Sequence, residues 1–112
     1  MDDPEARVLT SEFTILWIVG IYAPATGDEV RQARRISVWN PGLGSYLEKL
    51  RKTGKAVILV GDTNIAMEPI DITLPPSHTP PWLKPGEFIC ASKAEQESWR
   101  KSVIQNNFVD TF

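Results

Sequence analysis

An aspartate and an asparagine, Asp62 and Asn64, stand two residues apart at the end of the apolar run Ala56–Val60, in the stretch AVILVGDTN. A carboxylate at the C-terminal end of a strand, where loops assemble active sites, can ligate a cation or take a proton from an attacking water. An amide two residues on points to the same side if the backbone stays extended, and it can orient a phosphate or a water without adding charge. The same residues also have a plain conformational reading, a Gly-Asp turn in which the Asp side chain caps the backbone that follows. Tyr22 closes the other apolar run, Ile15–Tyr22, just before Ala23 and Pro24. Alone, it reads as a core tyrosine whose hydroxyl reaches water. Neighbouring strands that end in Tyr and in Asp-x-Asn are a stronger signal of a shared site than either end by itself.

The remaining polar candidates read more simply. His78 is isolated in a proline-rich stretch, and Cys90 reads as a buried structural thiol. The basic cluster Lys49–Lys55 reads as a solvated helix end rather than a phosphate track. Trp82, in PPWLKP, could stack on a base or sugar, but packing of its loop onto the domain is the preferred reading.

Elements that would position the pair follow from periodicity. RVLTSEF and TILWIVGIYAP read as two strands joined as a hairpin near Glu12–Thr14. The second is nearly all apolar, as expected when both faces are covered. From Asp28 to Lys52 the pattern is helical, with Val30, Ala33, Ile36, Val38 and Trp39 followed by Leu43, Tyr46, Leu47 and Leu50. Asn40-Pro41-Gly42 interrupts it, and Asn as a cap before Pro would restart a helix after a kink. Ala56–Val60 is the next strand, which makes a β-α-β unit. Residues 73–87 hold five prolines and read as an irregular loop. SKAEQESWRKSVIQNN reads as a helix opened by a Ser92/Glu95 capping box, and FVDTF as the start of a strand or turn.

Composition bounds the class. The 112 residues suit one small domain, with 42% hydrophobic and 23% charged residues as in an ordinary folded chain. A net charge of −2 gives no global attraction to nucleic acid, so any basic surface must be local. One cysteine excludes an intrachain disulfide framework and favours a reducing compartment. No apolar run approaches a membrane span, and MDDPEAR lacks the basic n-region of a secretory signal. Strands this apolar need layers on both faces, so the chain reads as the middle of something larger.

Three segments in order, EARVLTSEF…IVGIYAP, ILVGDTNIAMEPIDI and SKAEQESWRKSVIQNNFVDTF, resemble the exonuclease III branch of the endonuclease/exonuclease/phosphatase superfamily, which includes the class II apurinic/apyrimidinic (AP) endonucleases. GD-x-N is shared across that superfamily, including phosphoinositide phosphatases and RNA deadenylases. NIAMEPIDI, the Ser92…Glu95…Trp99 pattern and VDTF are more specific to the AP endonuclease branch. The resemblance runs from Glu5 to Phe112 and implies an α/β class, part of a four-layered α/β sandwich of the DNase I-like type, with residues 1–112 as its central part. It implies Mg²⁺ or Mn²⁺ as cofactor and DNA with abasic sites or 3′ ends as substrate. It implies no membrane and no obligate protein partner. The expected location is intracellular, and nuclear in a eukaryote.

By position, Tyr22 resembles the family tyrosine that contacts the scissile phosphate. Asp62 resembles the aspartate assigned proton transfer with the attacking water, in some descriptions also a metal ligand. Asn64 resembles the amide that orients water or phosphate, so Asp62 and Asn64 are the metal-side candidates. Ala25 departs from the pattern, since AP endonucleases usually carry Asn after Tyr-x-Pro. The family's metal-binding Glu and its terminal Asp-His pair have no counterpart in this sequence, where His78 follows Ser77. The chain by itself is therefore expected to be inactive, as a segment of such an enzyme or as a degenerate, non-catalytic copy.

Overall fold

In the computed structural model, which describes residues 4–72 and 79–111, three strands form one sheet. β1 (Val8–Glu12) and β2 (Leu16–Tyr22) are the expected hairpin, closed by the Phe13 N–H donating to the Leu16 carbonyl at 2.9 Å. β3 (Ala56–Asp62) lies parallel to β2, which makes β2 central in the order β1-β2-β3. Lys55 fixes the start of β3 against the hairpin: its Nζ lies 2.6 Å from Glu12 and 5.2 Å above the Trp17 ring. The β-α-β unit read from the sequence is thus present.

The crossover is one continuous helical stretch. α1 (Glu29–Arg34) opens on Asp28, which has an extended backbone and whose carboxylate accepts the Arg31 N–H at 2.8 Å. A π-helical turn spans Arg35–Trp39, and α2 (Asn40–Arg51) follows without a break. The expected cap and restart at Asn40 does not occur. Asn40 keeps helical angles (φ −60°, ψ −48°), its N–H reaches back to the Arg35 carbonyl, and its side chain is buried. The widened turn places Pro41, which has no N–H to give, where the helix continues without the usual interior bond.

Helices cover one face of the sheet. Val19, Ile21 and Ala23 pack under Trp39, Leu43 and Leu47 of the crossover and under Trp99 and Val103. Trp99 belongs to α3 (Lys93–Ser102), which starts on the expected capping box. This helix stops earlier than its pattern suggests: Ile104–Asn106 form a 3₁₀ turn and Asn107 adopts φ 63°. α2 and α3 approach at Gly44, where a Cβ would collide with the Ser102 carbonyl. Residues 107–111 follow as a turn and irregular chain, with Phe108 against the core.

On the opposite face, apolar sequence is not matched by burial. Leu9 is 75% exposed, Ile58 44% and Val60 47%. The described residues thus build an α/β arrangement of two layers, with a sheet whose second face lies open. The proline-rich reading of 73–87 holds for residues 79–87, which form turns and irregular chain; residues 73–78, with His78, lie outside the described residues. No described helix is long and apolar enough to cross a membrane.

Candidate active-site rim

Pairing between β2 and β3 sets Tyr22 directly beside Asp62 at the C-terminal ends of both strands. One further bond, from the Ala23 N–H to the Asp62 carbonyl at 2.9 Å, extends the ladder past Tyr22. Tyr22 is 57% exposed and Asp62 is exposed beside it, so the rim faces solvent. Gly61 is required here: it sits at φ 122°, and a Cβ would strike the Ile21 carbonyl oxygen.

Asn64 arrives by a different route from the extended one expected. Asp62 Oδ1 accepts the Asn64 N–H at 2.8 Å, which turns the chain and leaves Asn64 left-handed at φ 46°. Asn tolerates that region better than most residues. Its Nδ2 then donates to the Ala23 carbonyl at 2.8 Å, so Asn64 fastens the β3 rim to the β2 rim. The capping turn and the exposed carboxylate are therefore compatible: one oxygen of Asp62 holds the turn while the carboxylate remains at the surface.

Arg35 is the residue that sequence reading missed. It is 1% exposed, and its guanidinium reaches both rim loops: Nη1 donates to the Pro24 carbonyl at 2.7 Å and the Asn64 carbonyl at 2.9 Å, and Nη2 donates to the Thr63 carbonyl. Nε donates to Asn40 Oδ1 at 3.2 Å, and Cζ lies 5.6 Å from the Trp39 ring centroid. Burial pulls its pKa below the ordinary arginine range, while Cys90, Glu95 and Asp62 act to raise it. Its signal in the sequence was spacing. Arg35 stands four and eight residues before the buried Trp39 and Leu43, on the face that packs inward. The expected apolar face included Val30 and Val38, which are 77% and 61% exposed.

A second buried polar cluster supports the same region. Glu95 is 1% exposed and accepts from the Thr26 hydroxyl, from Gln32 Nε2 at 3.2 Å and from the Ser92 hydroxyl at 2.7 Å. The capping box of α3 therefore also joins that helix to α1 and to the segment after β2. Cys90 contacts Thr26 Oγ1 at 3.4 Å and is partly exposed rather than fully buried. Trp82 is half-buried, with its indole N–H shielded from solvent, in line with loop packing.

Beside Tyr22 a cleft of about 440 Å³ is lined by Arg7, Arg31, Arg34 and Arg35, with Trp39 as an apolar wall. Arg7 lies 5.3 Å over the Tyr22 ring, and its Nη1 donates to the Tyr22 carbonyl at 3.3 Å. Glu5 lines the same cleft and pairs with Arg7 at 2.6 Å, Asp28 pairs with Arg31 at 3.2 Å, and Arg35 is buried, so the cleft is of mixed charge with Arg34 exposed at it. In the Lys49–Lys55 cluster, Lys52 pairs with Glu48 at the surface at 3.0 Å and Arg51 donates to the Asn106 carbonyl at 2.7 Å, in line with a solvated helix end.

Metal binding has less support. No group of three or more His, Cys, Asp or Glu side chains among the described residues could hold an ion. Asp62 offers one carboxylate, and the Asn64 amide nitrogen is committed to Ala23. Mg²⁺ held by protein needs further carboxylates or phosphates, so these residues do not by themselves fit it.

No family model matches the chain. Curated relatives do. An exodeoxyribonuclease of Streptococcus pneumoniae is 30% identical over 110 residues, 98% of this chain and 37% of the relative. A DNA-(apurinic or apyrimidinic site) endonuclease of Dictyostelium discoideum is 38% identical over 112 residues, 98% of this chain and 28% of the relative. An exodeoxyribonuclease of Bacillus subtilis is 33% identical over 110 residues, 98% of this chain and 40% of the relative. The chain thus spans well under half the length of these relatives.

Proposed function

We propose that this chain, which belongs to the exonuclease III-like branch of nucleases, forms part of the active-site rim of a DNA-repair phosphodiesterase. The substrate is DNA at abasic sites or 3′ ends. The observation that carries the reading is the register that sets Tyr22 beside Asp62, next to a cleft lined by arginines.

Each group has a task suited to its chemistry. The exposed Arg34 and Arg31 attract backbone phosphates, an interaction that weakens steeply with salt. Tyr22 presents a phenol to a phosphate oxygen, and its ring is steadied by Arg7. Asp62, fixed through one oxygen by the Asn64 N–H, takes a proton from an attacking water. Asn64 keeps its side-chain oxygen as an acceptor that orients this water, because its nitrogen is already held by Ala23. The family's chemistry is metal-dependent. Mg²⁺ or Mn²⁺ would need ligands beyond those described, so no step here passes through it.

In a protein of the relatives' length, a four-layered sandwich would cover the open sheet face and complete the site. In a eukaryotic cell this substrate would place the protein in the nucleus. A second reading, a non-catalytic copy that only binds nucleic acid, is favoured by one observation: Ala25 occupies the rim position where the family pattern has Asn.

The test is incision of a duplex containing an abasic site, in Mg²⁺. The 112-residue chain is expected to match a buffer blank. A longer protein containing this segment is expected to incise, and Asp62→Asn is expected to lower its rate by orders of magnitude while leaving DNA binding in place. An Asp62→Asn protein that incises at the unsubstituted rate would remove Asp62 from the site.

A further inference from the structure

We propose that Arg35 is a positioning residue, whose guanidinium sets the geometry of the rim by holding the loops after β2 and β3 together through the carbonyls of Pro24, Thr63 and Asn64. This inference rests on reading that rim as the functional site.

The argument starts from cost. A buried guanidinium loses its hydration and is retained only where hydrogen bonds replace it. Among the described residues no carboxylate is in direct contact with Arg35; its acceptors are backbone carbonyls and the side chain of Asn40. Such an arrangement does little for a core that an apolar side chain would fill as well. What it does is bridge: one planar, rigid fork satisfies carbonyls from both rim loops at once in a fixed geometry, which the flexible point charge of a lysine does not impose. The π turn Arg35–Trp39 begins at this same position. Asn64, left-handed and bound to Ala23, is the second link between the same loops. Together the two links hold the loops that follow the paired Tyr22 and Asp62, beyond the last ladder bond from the Ala23 N–H to the Asp62 carbonyl.

Amide hydrogen exchange read by mass spectrometry on the 112-residue chain at low micromolar concentration tests this, with methylguanidinium as a rescue reagent. Arg35→Lys keeps the charge and loses the fork; Arg35→Ala loses both. In each variant the Ala23 and Asn64 amides are expected to exchange roughly tenfold faster or more, as for lost buried hydrogen bonds at a locally opened segment. Amides in the middle of α2 should keep their protection, and methylguanidinium should restore the rim in Arg35→Ala. Unchanged exchange at Ala23 and Asn64 would overturn the proposal. So would loss of protection throughout α2 and β2 in both variants that methylguanidinium does not reverse, because Arg35 would then serve the core alone. Fluorescence anisotropy with an abasic duplex separates this from the functional reading. A chain that shows the rim-specific exchange but binds no DNA keeps the positioning role and loses the nuclease reading.

Discussion

At the residue scale, Asn64 carries two burdens, a left-handed backbone and the bond to Ala23. Asn64→Ala keeps the unfavourable φ and loses the bond, so it is expected to destabilise by about 2 kcal/mol in denaturant melts. Asn64→Gly relieves the backbone and loses only the bond, and should cost less. A Gly variant as unstable as the Ala variant would show that the bond, and not the backbone, dominates. Tyr22, Asp62 and Asn64 could be chosen from the sequence because each stands at or just beyond the end of an apolar run. The capping turn at Asp62 was one of the two readings the sequence offered, but the left-handed backbone at Asn64 was not, because periodicity does not report φ. Arg35 was hidden for a related reason. An arginine in a helical pattern reads as surface unless its partners are known, and here they are backbone carbonyls, which leave no trace in residue type.

At the element scale, the strands and their order were legible, and the helix boundaries were less so. The hairpin, the β-α-β unit and the Ser92/Glu95 capping box all follow from period, turn chemistry and cap residues. The break expected at Asn40-Pro41 failed because a π turn absorbed the proline, and a helix under tertiary load can adopt that solution where an isolated one would not. The α2–α3 contact gives a sharp test. Gly44→Ala forces a Cβ into the Ser102 carbonyl, so the helices must separate. We expect a loss of about 1–3 kcal/mol in thermal or denaturant unfolding, as for overpacking of a core. Gly54→Ala, with nothing near its Cβ but φ 83°, should lose less. Equal losses would indicate that α2 and α3 can shift apart without cost.

At the scale of the whole molecule, the sheet is the weak point. Among the described strands β3 lies at an edge of the sheet, beside a groove of about 880 Å³, and Leu9, Ile15, Ile58 and Val60 are exposed on the sheet and its hairpin turn. Exposed apolar strands with a free edge invite association. Light scattering of the isolated chain is therefore expected to show growth with concentration, and its melting transition to depend on concentration. A monomer with a cooperative transition independent of concentration would refute this. The demand for a covering layer was readable from strand apolarity, whereas its identity was not, since the described residues supply only one layer of helices.

The central claim is that Tyr22, Asp62 and the arginine cleft form one DNA phosphate site. Its most direct test is anisotropy titration of a labelled abasic duplex at several salt concentrations, at dilutions where the chain is monomeric. The account predicts saturable binding that falls with salt. Tyr22→Ala and Arg34→Ala should each weaken it several-fold, roughly what loss of one phosphate contact costs. Asp62→Asn, which removes a negative charge facing the backbone, should bind at least as tightly. Lys49→Ala, remote on α2, should change nothing. Binding that ignores Tyr22 and Arg34 but is lost with Lys49 would place the DNA elsewhere and contradict the account.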